Sequence, residues 1–266
     1  NLGSSPLQAK VSLRDFANPA VDISFSSASL NPEDLGLKSP DRIKLSDVSG
    51  NFSYRDDAIE LRPVEARLNN SKFKIFAAMP DINEPYFDIS ASASHLDWDD
   101  VLLLSRIRPA GEEKESPDLY VKASLKLDRG IIKKIHYSKL RADLTYRQRE
   151  VDIQKFSVDA FGGRISGESR IFFPAEGSSR YRVVFSTENI SAERLLKAAG
   201  QKEPLITGMV TMNGKLTAEG DTGLDLKKTA RGSATLRMEK GFINGFAFLS
   251  RVFAILNLTN MLKLKL

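Results

Sequence analysis

The stretch Val21-Asp-Ile-Ser-Phe-Ser-Ser-Ala-Ser-Leu-Asn-Pro-Glu-Asp-Leu35 returns without gaps, 66 residues later, as Phe87-Asp-Ile-Ser-Ala-Ser-Ala-Ser-His-Leu-Asp-Trp-Asp-Asp-Val101. A third, weaker copy runs Arg182-Val-Val-Phe-Ser-Thr-Glu-Asn-Ile-Ser-Ala-Glu-Arg-Leu195. Each copy opens with residues alternating between apolar and polar, the period of a strand with one apolar and one wet face. Each closes on a short helix signal. Pro32 follows the cap residue Asn31, Asp97, Asp99 and Asp100 crowd a first turn, and Ser191 caps the third. Self-similarity at this spacing marks a repeat architecture.

A second segment repeats at a different offset. Val48-Ser-Gly-Asn-Phe-Ser-Tyr-Arg-Asp-Asp-Ala-Ile-Glu-Leu61 reappears 92 residues later as Leu140-Arg-Ala-Asp-Leu-Thr-Tyr-Arg-Gln-Arg-Glu-Val-Asp-Ile153. Both copies change parity at the same place: Ile59 and Leu61 give way to Val64 and Ala66, and Val151 and Ile153 to Phe156 and Val158. A one-residue slip swaps the two faces of a strand, so a bulge or break is expected there in each copy.

Alternation of this kind suits antiparallel sheets, because buried parallel strands are apolar throughout. It recurs at Leu7–Leu13, Phe73–Ala77, Val121–Leu125, Leu140–Tyr146 and Ala234–Met238, with turn signals between at Asp56-Asp57, Asn69-Asn70, Gly162-Gly163 and Gly220-Asp221. The expected fold is mainly β: an elongated, curled antiparallel sheet, a U-shaped trough built of repeats with a few short helices. A solenoid or a sandwich are the alternatives that also bury such a face. The repeat units fall at about 1–106 and 119–200, with a C-terminal unit at 201–266, inside one elongated domain spanning 1–266. The inward positions are Val21, Ile23, Phe25, Phe52, Ile59, Phe73, Ile75, Phe87, Ile89, Leu144, Val151, Ile153, Val183 and Phe185. They line either an open groove that accepts acyl chains or an ordinary closed core; alternation does not separate the two.

Composition removes whole classes of chemistry. The 266 residues contain no Cys, so disulfides and thiolate metal sites are excluded, and only His95 and His136 are available for imidazole chemistry. Gly162, Gly163 and Gly167 do not form a phosphate-loop pattern, and Ser166 sits in no nucleophile elbow, so both read as strand and turn residues. Asp97, Asp99 and Asp100 miss the EF-hand spacing and suit a helix start. His95 reads as a polar strand-end residue beside Asp97, and Trp98, the single Trp, as a cap on one end of the sheet. No metal and no cofactor are expected, and no carboxylate pair is brought together for glycoside chemistry.

The net charge of +5 is uneven. Residues 1–118 hold 13 basic and 20 acidic side chains, and residues 119–266 hold 26 and 14. A basic half suits nucleic acid or anionic headgroups. These charges, however, are spread along alternating strands as a solvated face, without the interleaved aromatics of a nucleic-acid platform, so no nucleic-acid partner is expected. The stretch from Arg108-Pro109 to Ser116-Pro117 reads as a mobile charged loop. Phe246–Leu258 has an apolar core of about 13 residues, short of the ~20 that span a bilayer, and Arg251 interrupts it. Phe246, Leu249, Phe253 and Leu256 share a helical face, so it reads as a helix on the sheet or plugging the trough, with an interfacial membrane helix as the alternative. The chain starts at Asn1 and stops at Lys263-Leu264-Lys265-Leu266, in what reads as the start of a strand, as an excised piece of a longer protein would.

The order of motifs in the second half is informative. Phe161-Gly-Gly-Arg-Ile-Ser-Gly-Glu-Ser is followed by Tyr181–Phe185, Asn189-Ile-Ser-Ala-Glu-Arg-Leu-Leu and Ile206-Thr-Gly-Met-Val-Thr-Met-Asn-Gly-Lys-Leu. Ala230-Arg-Gly-Ser-Ala-Thr-Leu, Gly241-Phe-Ile-Asn-Gly-Phe and Phe253-Ala-Ile-Leu-Asn-Leu close the series. This order resembles the C-terminal region of the AsmA-like family over residues 140–266, and the earlier part through the repeat. The resemblance implies a periplasmic, bridge-type lipid-transfer protein of Gram-negative bacteria, anchored in the inner membrane in its full length. Its apolar groove would conduct phospholipid acyl chains toward the outer membrane, and inner- or outer-membrane proteins would be its partners. It implies no catalytic residues, so the chain is not expected to be an enzyme. The alternative is a non-catalytic β scaffold that binds an outer-membrane assembly partner through exposed sheet edges.

Overall fold

A computed structural model describes residues 3–15, 18–39, 43–104, 106–109, 119–132, 134–201 and 206–243. Phe246–Leu258, with its expected helix, and the final Lys263–Leu266 lie outside the described residues. The chain is mainly β and divides into two units, Asn1–Lys133 and Lys134–Leu266.

The first unit begins with β1 (Leu7–Arg14) and β2 (Ala20–Leu30), a 3-10 turn at Pro32–Leu35 and the two-residue β3 (Leu37–Lys38). It continues with β4 (Leu45–Arg55), β5 (Ala58–Leu68), β6 (Ser71–Met79), β7 (Tyr86–Asp97), α1 (Trp98–Leu104), β8 (Arg108–Pro109) and β9 (Tyr120–Ile132). Its curled, open sheet runs β1-β2-β4-β5-β6-β7-β9. The second unit contains β10 (Ile135–Arg147), β11 (Glu150–Ala160), β12 (Gly163–Phe172), β13 (Arg180–Ser191) and α2 (Ala192–Ala198), then β14 (Ile206–Glu219), α3 (Gly223–Thr229) and β15 (Arg231–Ile243). Its strands pair in chain order, β10 through β15, all antiparallel.

The repeats map onto equivalent pieces. β2, β7 and β13 each run directly into a short helical turn. The second repeat is a pair of hairpins, β4–β5 and β10–β11. Their tight turns put two successive residues at positive φ, Asp56 and Asp57 in one, Gln148 and Arg149 in the other. That is the left-handed geometry that matches strand twist. The parity changes are register shifts, between Leu61 and Val64 on β5 and between Ile153 and Phe156 on β11.

Two features depart from the sequence reading. β7 and β9 pair in parallel, Phe87 opposite Val121 and Ile89 opposite Ala123, where an antiparallel pair was expected. The chain leaves the end of β7 through α1 and returns before starting β9, so both strands run the same way. Arg108 and Pro109, read as part of a loop, form a ribbon with Lys38 and Leu37; residues 110–118 of that loop lie outside the described residues.

Hydrogen-bonded clasps tie the helical turns to the strands. In the first unit, the Ser71 hydroxyl donates to Asp100 Oδ2 at 2.5 Å and accepts from the Asp97 backbone N–H at 3.0 Å. The equivalent pair of bonds recurs 66 residues earlier, from the Ser5 hydroxyl to Asp34 Oδ2 at 2.6 Å and from the Asn31 N–H to Ser5 at 2.9 Å. In the second unit, Ser179 donates through its hydroxyl and its N–H to Asp221 Oδ1, at 2.6 and 3.1 Å.

The Ser179 hydroxyl, then its N–H, hold the Asp221 carboxyl below its usual range, and Arg164, with Lys139, does the same for Asp159. A carboxyl depressed in the folded state stabilises above its unfolded pKa, about 3.9, and that stability is lost as pH falls through the folded value. The protein is therefore expected to lose stability on acidification below about pH 4. Ser179→Ala should return the Asp221 titration, followed by carboxyl NMR, toward the ordinary value and make the acid limb of the melting curve shallower.

Candidate functional site: an uncovered apolar sheet face

Register decides which side chains share a face, because directly paired residues project to the same side. In the first unit one row crosses six strands as Ile23, Phe52, Leu61, Ala77, Ile89 and Ala123. The row beside it holds Val21, Tyr54, Ile59, Met79, Phe87 and Val121. Toward the helical end, Ile75 stands between Val64 and Ala91, and Phe73 between Ala66 and Ala93. In the second unit Leu144 pairs with Ile153, Val151 with Ile171, and Val183 with Leu216. The fourteen inward positions therefore fall on one apolar face in each unit.

Burial varies along that face. Fully buried apolar residues gather near the helix-bearing ends of the strands. Leu30, Val48 and Ala66 form a small core there, with Phe25, Leu45 and Phe73 packed against it. Ala93 and Leu127 lie at the same end of the first unit, and Ile190, Ala192 and Val210 beside α2 in the second. All fourteen inward positions are half-buried. Six strands at about 4.8 Å and four rows at about 6.8 Å give each face roughly 24 by 20 Å. That footprint, of which each half-buried side chain exposes only a part, is wider than the ~15 Å depth of one bilayer leaflet's hydrocarbon.

Aromatic rings lie low on this face. A Cβ on Gly50 would come 2.7 Å from Phe25 Cζ, and one on Gly214 would come 2.7 Å from Phe185 Cζ. The two phenyl rings thus lie across a glycine of the neighbouring strand instead of standing up from the sheet.

The opposite face is polar. Serines at 24, 26 and 49 and Asn51 line two concavities of about 560 and 510 Å³ on the first unit, edged by Gln8, Lys10 and Glu65.

The remaining candidates have structural places. Asp100 is buried and bound to Ser71 and Asn69, whereas Asp99 is exposed. His95 Nε2 lies 2.9 Å from Asp97 Oδ1 on β7. Trp98 opens α1 and remains 40% exposed. Ser166 sits in a polar row between Ser157 and Ser186, Gly162 occupies a left-handed turn, and Gly167 faces Phe185. Among the described residues no group of three or more His, Asp or Glu is placed to hold a metal ion, and no helix is long and apolar enough to cross a membrane.

Several residues of the face were not among the fourteen inward positions: Val121, Ala123 and Leu125 on β9, read only as an alternating strand, and Phe156, Ile165 and Ile171 in the second unit. The signal for Phe156 was the parity change itself, which returns the strand to the inward face after the bulge. Comparison with protein-family models, curated proteins and solved structures returns no match for this chain.

Proposed function

We propose that this chain is a lipid-binding segment whose apolar sheet faces carry phospholipid acyl chains. In the setting that the AsmA-like resemblance implies, it would be part of a periplasmic bridge between inner and outer membranes. The observation that carries the reading is the set of register-matched apolar rows that remain half-buried between a small core and the far strand ends. Such a face binds by shape and hydrophobicity and requires no reacting group. Native mass spectrometry after mild purification from a Gram-negative host should show bound phospholipid. A photo-crosslinker at Ile89 or Ile153 should capture it; absence of lipid in both measurements overturns the reading.

A second reading, a scaffold that docks a protein partner by strand addition, is favoured by β1. Among the described residues of the first unit it pairs with β2 alone, and its Val11 and Leu13 are 62% and 47% exposed. That reading predicts partner capture from an envelope extract that Val11→Pro abolishes and substitution at Ile89 leaves intact.

A further inference from the structure

We propose that the α3 end of the second unit is a docking surface for an anionic lipid bilayer. This does not rest on acyl-chain binding by the apolar face. The polar face of this sheet gathers cations toward one end. Arg182 stands directly opposite Arg170, Arg231 lies one strand beyond Thr217 in the same row, and Lys215 is in the next row inward. Arg170 is spoken for by Glu150 and Asp152, at 3.3 and 3.6 Å. Among the described residues Arg182, Lys215 and Arg231 meet no carboxylate in a salt bridge, and neither do Lys227 and Lys228 in the last turn of α3.

Nearby acids offset only part of this charge: Asp221 and Asp225 accept from the Ser179 and Thr222 hydroxyls, Glu219 sits opposite Arg180, and Glu168 is two strands from Lys215. Like charges facing each other across a sheet are destabilising, so Arg170 opposite Arg182 has no structural benefit of its own.

The second observation is apolar. Leu224, in the same short helix as Lys227 and Lys228, is 61% exposed. An exposed apolar tip on the helix that carries unpaired cations matches a bilayer interface, where the tip enters the acyl boundary while the cations meet phosphate. A nucleic-acid surface would instead space aromatic rings along the basic track.

The test is flotation of the whole chain with vesicles. It should float with phosphatidylglycerol in phosphatidylcholine, stay behind with phosphatidylcholine alone, and be released at about 1 M salt, where screening is nearly complete. The triple variant Arg182→Gln, Lys215→Gln, Arg231→Gln should weaken partitioning roughly fivefold per cation, about a hundredfold in all. Leu224→Ser should weaken it about tenfold. Lys227→Gln with Lys228→Gln, on an exposed helix, repeats the electrostatic test without touching the sheet. Equal flotation with neutral vesicles, unchanged flotation of both charge variants, or retention on duplex DNA without any vesicle binding overturns the proposal. Loss of flotation with undiminished crosslinking of lipid at Ile153 separates docking from acyl binding.

Discussion

Exchanging Ile89 and Ile153 for Asp is expected to remove bound phospholipid, at least a hundredfold by native mass spectrometry, while the protein stays folded with a melting temperature lowered by about 10 °C. Both side chains are half-buried, Ile89 between Ala77 and Ala123 and Ile153 between Leu144 and Ser169. A carboxylate at such a position keeps part of its water in the free protein, so folding loses hydrophobic contact and strand propensity without burying the charge completely. An acyl chain laid over it strips that water without supplying a partner. An uncompensated charge then costs several kcal/mol, and about 3 kcal/mol already exceeds a hundredfold in affinity. Ser124→Asp, on the exposed polar face of β9, is the matched control and should leave lipid bound. The experiment also decides between the two expectations for this face. In a closed core the same substitutions would unfold the protein; on an open face they spare the fold and abolish the ligand. Lipid retained by the double variant would refute the assignment.

The alternation of Val21, Ile23 and Phe25, and of their repeat at Phe87 and Ile89, reports the inward face because the strand period is two and tolerates no slip. Where slips occur, at Leu61–Val64 and Ile153–Phe156, the change of parity is itself written in the residues, so the bulges were legible. Other features depend on what no local period records. The direction of β9 is set by where the connection after α1 returns the chain, and that charged segment carries no pattern that fixes its landing point. Helix α3 begins with Gly223 and has only Leu224 and Leu226 as apolar residues, too few to show a helical stripe; its cap is Thr222, which accepts from the Asp225 N–H. The cations at 182, 215 and 231 look evenly scattered along the chain. Antiparallel pairing brings strands far apart in sequence to the same end of the sheet, and a spread of charge becomes a patch.

The clasp between Ser71 and Asp100 should dominate the stability of the first unit. Ser71 is completely buried and Asp100 is 4% exposed. Ser71→Ala removes a charge-assisted hydrogen bond and leaves the carboxylate with Asn69, and it also orphans the Asp97 N–H at the start of α1. A lost bond to a buried charge costs about 1.5–3 kcal/mol, and the stranded N–H adds to it, so a loss of about 3 kcal/mol is expected. For a unit of this size that is a fall of about 10 °C in melting temperature by calorimetry. Asp100→Ala should cost a similar amount. The double variant should cost much less than the sum of the two, because neither partner is then left buried alone. Additive losses would mean that the two side chains act separately. Ser5→Ala should have a smaller effect, since Asp34 keeps the Ser4 hydroxyl and the first clasp is only part-buried. The β11–β12 turn of the second unit shows what happens where the counterpart of the Ser71 clasp is absent. Gly163 stands 92 residues after Ser71, at the same turn of the second repeat. There the Ser191 N–H bonds directly to the Phe161 carbonyl at 3.0 Å. A Cβ at 163 would run into the backbone carbonyls of Glu188 and Asn189, so Gly163→Ser cannot restore the clasp and should unfold this corner. The same strand-to-helix junction is thus held by a side chain in one repeat and by close backbone approach in the other.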